Sequence, residues 1–194
     1  MAKQIEASFF SQSVLEVAPA LIGKVLCRQL LDGSILRSLV VETEAYNGEA
    51  DSACHASKGK TERTKVMYHS GGTIYIYLIY GMYHMLNIVT GAKEQPEAVL
   101  IRAIQPLSLP DNLKKSEIVS NGPGKLCRYL NIERSLNGLG LQKENRLWLE
   151  YFETQKEIEV ISSTRIGIGY ANEADQQKPW RFLMKDNRFV SKPA

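Results

Sequence analysis

The chain has 194 residues, 44% hydrophobic and 23% charged, with a net charge of +3. At that length roughly 70% of the unfolded surface is buried on folding, so one domain over 1–194 needs neither disulfides nor a structural metal, and disordered, collagen-like and miniprotein classes are excluded. The mild positive balance permits nucleic acid as a partner without requiring it.

The opening MAKQIEASFFSQSV lacks the basic region, apolar core and cleavage site of a secretory signal. No apolar run reaches the ~20 residues that span a bilayer, and a cytoplasmic protein is expected. From Ser13, apolar Val14, Leu15, Ala18, Leu21 and Ile22 follow helical spacing, with Pro19 expected to kink that helix or begin a second. Residues 35–46, ILRSLVVETEAY, alternate as a strand: Leu39, Val41, Thr43 and Ala45 share one face, and Val40, Glu42, Glu44 and Tyr46 the other. Residues 47–72 form a long polar excursion carrying His55, Lys58, Lys60, Arg63, Lys65 and His69. Runs 73–79 and 83–89 are strands joined through Tyr80-Gly81-Met82, a hairpin with an aromatic tip. A third strand, 98–106, holds Arg102 in an otherwise apolar run, and Pro123 opens a helix with Lys125 in its first turn. WLEYF and EIEVISS are the last clear strands, before a loop-rich tail ending PWRFLMKDNRFVSK. Few helices and sequence-adjacent strands indicate an α+β fold with a curved, mainly antiparallel sheet, surrounding helices and a protruding β-hairpin.

Several of these residues carry chemistry. Glu42 and Glu44 are general-base candidates if buried, and the solvated face of a half-exposed sheet if not. Tyr46 and His55 can complete a pocket of carboxylate, aromatic surface and imidazole. Tyr75 and Tyr83 suit cross-strand packing, whereas Tyr80 at the tip suits a wedge entering a base stack. The basic loop and the helix start at Gly122-Pro123-Gly124-Lys125 are candidate phosphate contacts. Cys27, Cys54 and Cys127, like His69 and His84, show no metal-ligand spacing, so no metal cofactor is expected.

VETEAYNGEADSACHAS, Thr61-Glu62-Arg63, GTIYIYLIYGMYHMLNIV, AVLIRAIQPL, NGPGKLC, RIGI and PWRF together resemble the alkyladenine (3-methyladenine) DNA glycosylase family over about residues 11–190. The resemblance implies a monofunctional, monomeric base-excision-repair enzyme without cofactors, used at the nucleoid. Such an enzyme flips alkylated or deaminated purines out of double-stranded DNA and hydrolyses the N-glycosidic bond. It also implies that Glu44 is the general base with Arg102 beside it. Tyr46 and Tyr77 would wall the base pocket, His55 would touch the base, and Asn87 would screen exocyclic groups. Tyr80 would intercalate, while Arg63 and Lys125 would meet the DNA backbone. The family's TPRN reads TERT here, with Thr64 in place of asparagine. Two readings from other classes stay open: a non-catalytic binder of damaged duplex DNA, which gains nothing from Glu44, and a small-molecule nucleosidase, which leaves Tyr80 idle.

Overall fold

The structure is a computed structural model that describes residues 3–108, 119–152 and 158–194. Helix α1 (Val14–Ala20) starts at Ser13, whose backbone N–H and hydroxyl both donate to the Glu16 carboxylate. Pro19 starts no second helix. It lies in the last turn, where its missing N–H cancels a helical bond and the helix ends one residue later.

The strands are β1 (Val25–Gln29), β2 (Ile35–Asn47), β3 (Ile74–Ile79), β4 (Tyr83–Thr90), β5 (Glu97–Pro106), β6 (Leu147–Glu150), β7 (Val160–Ser163) and β8 (Arg181–Met184). They form one curled sheet in the order β3-β4-β5-β2-β1-β6, every pairing antiparallel. α2 (Pro123–Tyr129) begins with Pro123 at its first position, and α3 (Glu173–Gln176) is capped by the Asn172 side chain. The expected α+β, mainly antiparallel architecture is what the chain forms. β8 is a correction: it lies in the tail read as loop-rich and pairs with β2 at Glu42–Glu44.

β2 is the organising strand. β5 runs along one edge; β1 pairs with residues 35–39 of the other, and β8 takes over at 42–44. In the β2·β5 ladder Val40 faces Ile104, Glu42 faces Ala103 and Thr43 faces Ile101, so Val41 and Arg102 are the unpaired extra residues. This bulge corrects the expected face assignment. Val40 packs in the same core as Ala45, Ile101 and Ile104, under α1, while Leu39 and Val41 join Trp148 and Phe189 in a separate cluster.

The 47–72 segment is polar in composition but largely packed. Cys54, Ala56, Val66, Met67 and Tyr68 are buried against Tyr75, Val89 and Ala98. Thr64 fastens it by accepting from the Thr61 N–H (2.8 Å) and donating to the Gly59 carbonyl (3.0 Å). All three cysteines are free and buried, and burial pushes each thiol up to about 12. Among the described residues no helix is long and apolar enough to cross a membrane, and no group of three or more His, Cys, Asp or Glu side chains is placed to hold a metal ion.

Candidate active site

β2 brings two carboxylates into the interior, and both Glu42 and Glu44 are 0% exposed. They are not a solvated sheet face. Glu42 is held from three sides: its Oε1 accepts from Arg102 Nε (3.2 Å), Arg181 Nη1 (3.1 Å) and Ser191 Oγ (2.9 Å), and its Oε2 from the Ser191 N–H (2.6 Å). Glu44 is held more lightly. Its Oε2 accepts from the Tyr46 hydroxyl (2.9 Å) and Arg102 Nη1 (3.3 Å), and its Oε1, among the described residues, only from the Ile166 N–H (2.7 Å). A carboxylate oxygen has two acceptor directions, so Oε1 keeps one for a water. Burial raises the Glu44 carboxyl pKa, against Arg102, the Ile166 N–H and the Tyr46 hydroxyl, which favour the anion. Arg102 reaches both carboxylates because the bulge leaves it out of the ladder.

Tyr46, whose hydroxyl bonds Glu44, is one wall of a cavity also lined by Cys54, His55, Tyr77, Asn87 and Tyr170, among others. Its volume, about 30 Å³, has room for a water or two and not for a whole purine. The structure therefore brings together Glu44, Arg102, Tyr46, His55, Tyr77 and Asn87. His55 Nδ1 lies 3.0 Å from the Tyr75 hydroxyl, and its Nε2 lies 3.3 Å from Arg63 Nη2. A guanidinium only donates, so Nε2 carries the lone pair and the ring proton sits on Nδ1, facing Tyr75 Oη. Burial, then the charge of Arg63, lowers the His55 pKa to about 4, which keeps the ring neutral at pH 7. Its ring meets Tyr77 edge-on at 4.4 Å. The Asn87 amide nitrogen donates to the carbonyls of Tyr75 and Met85 (3.2 Å each), leaving its carbonyl oxygen as the group it can present to the cavity.

Tyr80 and Lys125 stand apart from this cluster. Tyr80 is 86% exposed at the turn between β3 and β4, with φ +51°, and Gly81 follows with φ +69°. Met82 N–H closes the turn on the Ile79 carbonyl at 3.2 Å. Two successive left-handed residues match the primed hairpin turns, where glycine is at ease and a tyrosine is strained. Lys125 is exposed, and its Nζ bonds the Asn121 side chain at 3.0 Å. Within the basic loop Lys60 pairs with Glu94 and Lys65 with Glu62, while Arg63 lies over the Tyr77 ring at 5.4 Å.

Sequence reasoning misses a second set of residues. The Ile166 backbone N–H has no side-chain signal at all. Arg165 holds that segment: it grips Asp51 with two bonds (2.5 and 2.9 Å), donates to the Ala45 carbonyl (2.9 Å), and packs between the Tyr46 and Trp180 rings at 5.0 and 5.1 Å. Arg181 and Ser191 come from the tail and fix Glu42. Tyr170 completes the cavity wall, 69% exposed and tied by its hydroxyl to the Ala53 carbonyl at 2.8 Å. The motifs RIGI and PWRF contain or adjoin Arg165, Ile166, Tyr170 and Arg181, and they are the sequence signal that could have led there.

Comparison with known proteins gives a consistent result. The methylpurine-DNA glycosylase family model matches residues 8–188. A protein of Borrelia garinii subsp. bavariensis is 46% identical over 185 residues, covering 95% of this chain and 97% of its own. One from Clostridium novyi is 41% identical over 205 residues (98% and 99% covered), and one from Methanocella arvoryzae 46% over 193 (96% and 94%). All three carry the provisional name 3-methyladenine DNA glycosylase.

Proposed function

The chain belongs to the methylpurine-DNA glycosylase family, and from that premise we propose that it excises alkylated or deaminated purines from double-stranded DNA, with Glu44 activating the water. One observation supports this reading above the rest. A buried carboxylate with a raised pKa and a free acceptor direction is bonded to one wall of an aromatic cavity, while its neighbour Glu42 is tied up by the same arginine.

The chemistry is a hydrolysis. Glu44 Oε1 takes a proton from water, the water oxygen bonds to C1′ of the sugar, and the C1′–N bond breaks with its electron pair going to the purine. Alkylation at N3 or N7 makes the base a cation, so it leaves neutral and needs no proton donor. Anionic Glu44 also stabilises the oxocarbenium-like charge that develops on the sugar. Arg102 favours the ionised form of Glu44 and, bridging to Glu42, fixes its position. The Tyr46 and Tyr77 rings favour a cationic base by cation–π attraction, of order 0.5–2 kcal/mol. Damaged pairs stack and pair less well, so extrusion itself selects, and Tyr80 fills the gap that the flipped nucleotide leaves. The cavity admits a purine only if a wall moves, and Tyr170, with its single hydroxyl bond, is the lightly held wall. A non-catalytic binder would have no use for a buried carboxylate with an open acceptor direction.

Duplexes carrying one defined lesion, 7-methylguanine or hypoxanthine, test the reading. Abasic sites should appear, with strand breaks only after alkali, as expected of a monofunctional enzyme working as a monomer. Tight lesion binding without abasic sites would establish the binder instead.

A further inference from the structure

Two aromatic walls of the cavity each carry a guanidinium that lies outside the cavity. Arg165 sits 5.0 Å from the Tyr46 centroid and Arg63 sits 5.4 Å from that of Tyr77. The two are not equivalent. Arg165 is buried and neutralised by both oxygens of Asp51. Arg63 lines a separate groove with Lys65 and Arg134, and Tyr77 is the residue that groove shares with the cavity. The nearby Glu62 is taken by Lys65 at 2.7 Å, and among the described residues Arg63 has no carboxylate partner. Its Nη2 instead donates to neutral His55, which holds the charge against the wall.

We propose that Arg63 determines specificity by setting an uncompensated positive charge on the outer face of the Tyr77 wall, which weakens that wall's preference for cationic purines and leaves neutral purines unaffected. This deepens the glycosylase reading and rests on it. Cation–π attraction is electrostatic, so a charge on one face of the ring opposes a cation on the other. A base stacked about 3.5 Å beyond the ring would lie roughly 9 Å from the guanidinium, where two unit charges alter affinity from about twofold in a water-like surrounding to about twentyfold near a protein surface. Cationic lesions, whose glycosidic bonds are already weak, tolerate that loss. The consequence is a site that handles neutral lesions such as hypoxanthine alongside charged ones.

The test compares kcat/KM on matched duplexes bearing 7-methylguanine, a cation, or hypoxanthine, which is neutral. Arg63→Gln should raise the cation-to-neutral ratio about two- to twentyfold. Arg134→Gln, the same charge change in the same groove but away from Tyr77, should leave the ratio unchanged. Raising salt should increase the wild-type ratio by screening Arg63, and this measurement needs no variant. An equal fall on both lesions in Arg63→Gln would mark a phosphate contact and overturn the proposal, as would a ratio that salt and substitution both leave unmoved. Wild-type protein active on neither lesion would instead overturn the glycosylase reading itself.

Discussion

Tyr46 and Tyr80 are both tyrosines set in place by β-structure, and their surroundings could hardly differ more. Tyr46 is enclosed at the cavity end of β2, its hydroxyl on Glu44 and its ring under Arg165. Tyr80 stands in solvent at a hairpin turn, in a backbone conformation that costs a bulky residue of order 1–2 kcal/mol. At the cavity end, folding and chemistry draw on the same contacts, so a substitution disturbs both. At the tip nothing in the fold repays the strain, so a substitution there separates function from stability.

Four substitutions probe that contrast. The largest effect should come from Glu44→Gln: base release falls about 10³-fold or more while lesion-DNA binding persists, because the amide keeps the shape and cannot accept the water's proton. Single-turnover excision beside a binding isotherm reads both. Glu42→Gln, one pleat away, should act chiefly on stability. It removes a buried charge from between Arg102 and Arg181 and should cost about 3–5 kcal/mol in denaturant unfolding, with the folded fraction losing far less activity than Glu44→Gln does. If those two outcomes were exchanged, the roles assigned to the two carboxylates would be wrong.

At the tip, Tyr80→Asn should leave the melting temperature unchanged or raise it slightly, since asparagine tolerates the left-handed region. Duplex excision should nevertheless fall roughly tenfold or more as the flipped nucleotide returns to the stack, and fall less for a lesion opposite an abasic site. A destabilised, fully active variant would remove the wedge.

The most gradual effect is a pH dependence. His55 has a folded pKa near 4 against about 6.5 unfolded, so the unfolded chain binds the proton first as pH drops. Its contribution is therefore complete above pH 6.5 and is lost as pH falls toward 4, by roughly 2–3 kcal/mol after allowance for partial exposure. His55→Gln should flatten that part of the stability curve relative to wild type.

The chain order of strands is legible where alternation is strong. β2 through β5 and the Pro123 helix start follow from pattern and turn residues. The bulge at Val41 and Arg102 is not legible, because it arises in the pairing of β2 with β5, two strands far apart in sequence, and has no local signature. β8 itself hides in a short segment with Pro179 and three charged residues nearby. In the 47–72 segment, polar composition conceals burial: Asp51 and Thr64 are enclosed because Arg165 and local backbone satisfy them. For the site, side-chain candidates can be read from motifs. Backbone donors such as Ile166 N–H cannot, since every residue but proline offers one.

The three cysteines have a consequence for working conditions. With thiols near 12 and no exposed sulfur, only about one in 10⁵ is a thiolate at pH 7, and the thiolate is the form that electrophiles attack. The methylating agents that create this family's lesions are themselves electrophiles. Their easiest protein targets are here withheld, so the molecule should outlast the exposure that makes it necessary, which mass spectrometry of methylated Cys27, Cys54 and Cys127 after treatment of the folded and unfolded chain would measure.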